Sequence, residues 1–132
     1  MTFLEKLAPV LGRSLLTDTP YSPEKVKPLA NNPRFIEPNL SKNITRSNEF
    51  RNLAADMGVA SASLAIAWLL HQGSNKIPIP GTRSIDHLRE LAEGTTMELS
   101  TSDLAEIDQR LPLDWVKGDR YTAAQWVGAE KY

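Results

Sequence analysis

The sequence contains no cysteine. Disulfides, thiolate metal sites and a cysteine nucleophile are therefore excluded, and the composition fits a reducing compartment such as the cytosol. An excess of charge is missing as well: 15 Lys and Arg stand against 16 Asp and Glu, a formal net charge of −1. Such a balance predicts no broad attraction to nucleic acid or to an anionic membrane. Long apolar runs are also absent. The longest, Leu64–Leu70, is bounded by Ser63 and His71, far short of the roughly 18 apolar residues that a spanning helix needs. The first six residues place Glu5 where a secretory signal would begin its apolar stretch, so no signal peptide is expected. There is no internal repeat and no low-complexity tract. Cytoplasmic localisation is the resulting expectation.

What remains is ordinary for a globular domain: 132 residues, 41% hydrophobic and 23% charged. One domain is predicted, burying about two-thirds of its unfolded surface. Residues 3–7 read as a short helix or strand broken by Pro9 and Gly12. Residues 18–46 read as a long loop, with Pro20, Pro23, Pro28, Pro33 and Pro38 inside nineteen residues. A loop of that length in a compact domain is usually functional or disordered.

Helices follow. Ser47 is placed to cap a helix carrying Phe50, Leu53 and Ala54 on one face, with Gly58 as its C′ residue. A second helix runs from Ser61 to His71 and is apolar nearly all round, as expected of a helix packed against a sheet. Ile77-Pro-Ile-Pro80 reads as a short buried strand at an edge or in a barrel, since proline cannot donate to a ladder. Ser84 caps a helix to about Glu93. Ser100 and Asp103 form a capping-box variant ahead of Leu104, Ile107 and Leu111, and Pro112 ends that helix. Residues 113–132 form an irregular tail with Trp115, Tyr121, Trp126 and Tyr132. Trp68 reads as core, and Trp115 and Trp126 as packing anchors or a pocket wall. Lys42, Arg46 and Arg51 read as a solvated face. One strand among helices makes an α/β segment without most of its strands.

Chemistry concentrates in Ile77-Pro-Ile-Pro-Gly-Thr-Arg-Ser84. A strand entering a turn and then a helix presents unpaired amides and a positive dipole end, both favourable to an anion. Arg83 adds a permanent charge whose fork geometry suits phosphate. The plainer reading is an ordinary turn with a surface arginine. His87 reads as a surface residue that reaches the same phosphate when protonated.

The same stretch resembles the eighth strand and following helix of bacterial and fungal aldo-keto reductases, I-P-I-P-G-T-[RK] followed by L-x-E-N. Three more segments match in order, and the tail adds another. Leu11-Gly-Arg-Ser-Leu-Leu-Thr17 is similar to the family's P-L-G-R-G-L-L-T loop. Asn32-Pro-Arg-Phe35 with Asn39 and Asn43 is similar to its P-R-F-x-x-E-N-x-x-x-N insertion. Gly58–Gly73 is similar to its G-x-T-x-A-Q-L-A-L-A-W-L-L-x-Q-G helix, and Gly118-Asp-Arg-Tyr121 to its G-[DE]-R-Y.

This resemblance implies the C-terminal part of a (β/α)8 TIM barrel, mostly helical with one or two short strands, using NADPH to reduce aldehydes or ketones. It implies that Arg83 faces the 2′-phosphate, that Gly81 and Thr82 line the same pocket, and that Glu90 contacts the adenine. Leu11, Gly12 and Arg13 would follow the pyrophosphate. The barrel needs about 250 residues, and the family's catalytic Asp, Tyr, Lys and His belong to strands with no counterpart here. No catalytic or metal residue is assigned, and a carbonyl substrate is expected only if a missing N-terminal half completes the site.

Departures from the family pattern are Val10 for a proline, Ser14 and Asp18 for glycines, and Leu91 for the adenine-contacting Asn. Asp18 is expected to set a negative charge near the pyrophosphate. Three readings stand: an oxidoreductase segment, a non-catalytic binding or interaction protein, and a truncated product without a stable fold. In the last, the sheet-facing sides of helices 47–57 and 61–71 would be exposed and drive oligomers.

Overall fold

The computed structural model describes residues 11–19 and 22–127. The predicted element at 3–7, its break at Pro9, and Val10, Pro20, Tyr21 and Tyr132 lie outside these residues. Among the described residues, five helices carry the fold: α1 (Pro23–Val26), α2 (Asn39–Asp56), α3 (Ser61–His71), α4 (Ile85–Gly94) and α5 (Thr101–Arg110). Two 3-10 turns, Lys27–Leu29 and Pro33–Phe35, join α1 to α2. No single described helix is long and apolar enough to cross a membrane.

α3 lies at the centre. Ser61–Ala67 and Leu69 are buried, because this helix has neighbours on nearly every side. α2 meets it at 93°, bringing Phe50, Leu53 and Ala54 into one cluster with Leu64, Ala65, Ala67, Leu99 and Ile107. Each large apolar side chain so buried contributes about 1.5–3 kcal/mol. The apolar faces of α2 and α3 thus pack together, with Leu99 and Ile107 beside them.

α4 approaches α3 closely at Gly94, where a Cβ would lie 2.5 Å from the Ser63 carbonyl oxygen. Ser63 Oγ also donates to the Glu90 carbonyl at 2.7 Å. α5 begins with a full capping box between Ser100 and Asp103, and the Ser100 hydrogen bonds hold the Asp103 carboxyl below its ordinary value. Trp68 spans α3 and α5, its Nε1 donating to Asp108 at 3.2 Å.

Two expectations are corrected and a third is not met. Segment 18–46 is not one loop: it holds α1, both 3-10 turns and the start of α2. α2 begins at Asn39 because the Glu37 carboxylate accepts from Ser41 N and Oγ, at 3.3 and 2.7 Å. Ser47 does not cap it. It is buried within the helix and donates to the Leu15 carbonyl.

The expectation not met concerns Ile77–Pro80. It is extended, but no described residue forms a strand, and Ile77 and Ile79 are 73% and 79% exposed. Alternating Ile and Pro set the local conformation, while a strand also requires a paired neighbour.

The tail is tied to the α2 entry. Asn43 Nδ2 donates to the Arg34 and Lys117 carbonyls, each at 2.9 Å, and Lys117 N donates to Asn43 Oδ1 at 2.7 Å. Asn32 Nδ2 reaches the Arg120 carbonyl at 2.7 Å, and Arg34 Nε reaches that of Gly118 at 3.2 Å. A Cβ at Gly118 would lie 2.6 Å from the Pro33 carbonyl oxygen.

Candidate functional site

The turn at residues 11–15 is left-handed for three consecutive residues, with φ of 54° at Gly12, 55° at Arg13 and 71° at Ser14. Non-glycine residues there cost about 1–3 kcal/mol each, so neighbours must hold the turn. Leu15 is buried, and its carbonyl accepts from Ser47 Oγ and Arg51 Nη1. Arg51 also reaches the Thr17 carbonyl at 3.1 Å. Arg51 is thus a brace for this turn, not part of a solvated face.

Asp18 turns toward the start of α3. Its Oδ1 accepts from Ser61 N at 3.1 Å and from Ser61 Oγ at 2.5 Å. This negative charge is thus engaged at a helix N-terminus, where it is favoured.

Opposite this turn, residues 81–84 lead into α4. Ser84 N donates to Thr82 Oγ1 at 3.1 Å, and Ser84 Oγ accepts from His87 N at 3.3 Å. The amides of Ile85 and Asp86, at the first turn, have no intrahelical acceptor. A methyl group at Gly81 would meet nothing within 4 Å, so the backbone there faces open space.

Between the two segments lies a cleft of about 250 Å³. Leu11, Ser14, Thr17, Asp18 and Thr19 form one wall; Gly81, Thr82, His87, Glu90 and Leu91 form the other. Ala62 contributes from α3, and Lys25 enters from α1. A shallower, open hollow adjoins it, lined by Gly81, Thr82, Arg83, Ser84 and His87.

Of the residues singled out in the sequence, Leu11, Gly81, Thr82, His87 and Glu90 line the cleft. Arg83 lines the adjoining hollow, which shares Gly81, Thr82 and His87 with it. Gly12 and Arg13 do not line either. The Arg13 guanidinium carbon lies 5.9 Å from the Tyr121 ring centroid, and that of Arg120 lies at 5.9 Å from the same ring. Tyr121 meets Trp126 edge to face at 5.2 Å, so this tryptophan packs within the tail. Burial, reinforced by Arg120 and Arg13, holds the Arg34 guanidinium below its ordinary value.

Lys25 was not singled out in the sequence. A signal for it existed: Ser22 at the N-cap, Pro23 at N1 and Glu24 in the first turn mark the start of α1. Among the described residues, no three His, Asp or Glu side chains converge as metal ligands.

The cleft falls just below the range of about 300–1,000 Å³ typical of small-ligand pockets. A family model described as "Aldo/keto reductase family" matches residues 8–111, and the chain belongs to this family. Among curated proteins, it is similar to "Probable aldo-keto reductase 1" of Glycine max, 39% identical over 89 residues. That alignment takes in 67% of this chain but 26% of the relative, so the chain spans about a quarter of the relative's length. No solved structure matches.

Proposed function

We propose that this chain carries the adenosine-phosphate part of an NADP site of an aldo-keto reductase. The observation that carries this reading is the sharing of Gly81, Thr82 and His87 by a cleft and by the hollow holding Arg83. That arrangement gives two adjacent anion positions at the entry to α4. Open amides and the dipole favour negative charge there, and the Arg83 fork suits a phosphate monoester. On this reading Arg83 takes the 2′-phosphate, and Gly81, Thr82 and His87 border it. Glu90 faces the adenosine, and Leu11 lies along the diphosphate.

NADPH, when bound, supplies a hydride to a carbonyl carbon. The aldehyde or ketone reduction itself is assigned to the family's whole catalytic domain. α3, α4 and α5 would then be outer helices of the C-terminal part of a (β/α)8 barrel, and Ile77–Pro80 a barrel strand awaiting its neighbours. No residue here is assigned to catalysis, and this chain by itself is expected to turn over no substrate. Cytoplasmic localisation and self-association belong to the same proposal. A binding role without turnover is favoured by one observation: both walls of the cleft come from this chain.

The test is nucleotide binding by the 132-residue chain, followed by NADPH fluorescence. Arg83→Ala should weaken NADPH at least about tenfold, the scale of a charge-assisted hydrogen bond, and NADH less than about twofold. Equal losses for the two nucleotides would remove the 2′-phosphate role.

A further inference from the structure

The geometry points to Lys25 as the residue that neutralises the bridging diphosphate of the dinucleotide, an inference that rests on the cofactor reading above. A diphosphate brings two negative charges into the cleft. The walls already hold the carboxylates of Asp18 and Glu90. Arg83 lines the adjoining hollow instead, and Arg13 lies over Tyr121. The basic side chains on the cleft walls are therefore Lys25 and His87, and an imidazole is by nature a weaker, pH-dependent charge.

Lys25 is also poised for a ligand. Its backbone is fixed where α1 begins, with Ser22 Oγ accepting from Lys25 N at 3.4 Å and Pro23 at the first helical position. Its ammonium forms none of the ion pairs of the described residues. It is a compact point charge on a flexible stem, suited to a mobile phosphate oxygen. Asp18, by contrast, is held by Ser61 at α3 and does not claim the lysine. The two cations thus divide the nucleotide: Arg83 reads the 2′-phosphate, and Lys25 serves the diphosphate that NADPH and NADH share.

That division sets the experiment. NADPH and NADH affinities are measured for the full chain and for Lys25→Ala, Lys25→Arg and Arg83→Ala. Lys25→Ala should weaken both nucleotides by the same factor, about five- to tenfold, and should flatten the salt dependence of binding. Lys25→Arg should restore most of the loss. Inorganic pyrophosphate should displace NADH from the unaltered chain at lower concentration than from Lys25→Ala. Unchanged affinity in Lys25→Ala, with Arg83→Ala still discriminating between nucleotides, overturns the Lys25 assignment alone. A loss confined to NADPH also overturns it, because Lys25 would then read the 2′-phosphate. An unaltered chain that binds neither nucleotide overturns both this assignment and the cofactor reading.

Discussion

Asn43 shows how much one polar side chain carries in this chain. It is fully buried, and both ends of its amide are engaged: two carbonyls accept from it and one amide donates to it. Removing it would leave the part-buried main-chain groups of Arg34 and Lys117 without this partner. Each such group costs about 1–3 kcal/mol. Asn43→Ala is therefore expected to lower stability by about 2–4 kcal/mol and to release the tail. Urea unfolding measures the first, and the emission of Trp115 and Trp126 reports the second. A loss below about 1 kcal/mol would mean that water replaces the amide. The segments around Asn32–Asn43 and Gly118–Tyr121, which stand out in the sequence as separate motifs, meet at this side chain. Their residue types serve main-chain stitching, which sequence spacing alone does not reveal.

Helix starts divide into those a local pattern announces and those it does not. Ser84 and Ser100 mark α4 and α5 because a cap joins a side chain to an amide three residues away. Gly58 ends α2 as its position suggests. The start of α2 escapes the pattern, because its N-cap is Pro38, which has no capping side chain, and the Glu37 carboxylate before it accepts from Ser41 instead. The Ile77–Pro80 segment stays unpaired for a different reason: pairing depends on a neighbour that four residues do not encode. Lys25 joins the cleft only through the folding of residues 18–46 toward 81–91, which composition presents as loop. Within the helical layer, Gly94 decides how close α3 and α4 come. Alanine favours helix by up to about 1 kcal/mol over glycine, yet its Cβ would strike the Ser63 carbonyl and Ile66 Cβ, at 2.5 and 2.8 Å. Gly94→Ala is expected to destabilise by a net 1–2 kcal/mol or so, the range of overpacking. Thermal unfolding checks this. A stabilised variant would show that the two helices have room to separate.

The chain as a whole hides its central helix but not all of its apolar surface. Ile77 and Ile79 on the extended segment, with Ile85 and Leu88 on α4, remain exposed. Ile85 and Leu88 are three residues apart and share a helix face. Exposed strand-like segments of this kind invite pairing with another chain. Replacing Ile77 and Ile79 together with lysine is expected to reduce self-association and leave helical content unchanged. Sedimentation across a dilution series and far-UV circular dichroism follow the two. Equal association before and after would place the contact elsewhere. The knot around Asn43 carries a consequence of its own. Asn32, Arg34 and Asn43 grip the carbonyls of Lys117, Gly118 and Arg120 rather than their side chains. The gripping residues must stay as they are, and so must Gly118, whose backbone the Pro33 carbonyl crowds. The Lys117 side chain takes no part in this grip: its Nζ donates instead to the Asp114 carbonyl at 3.1 Å, within the tail itself.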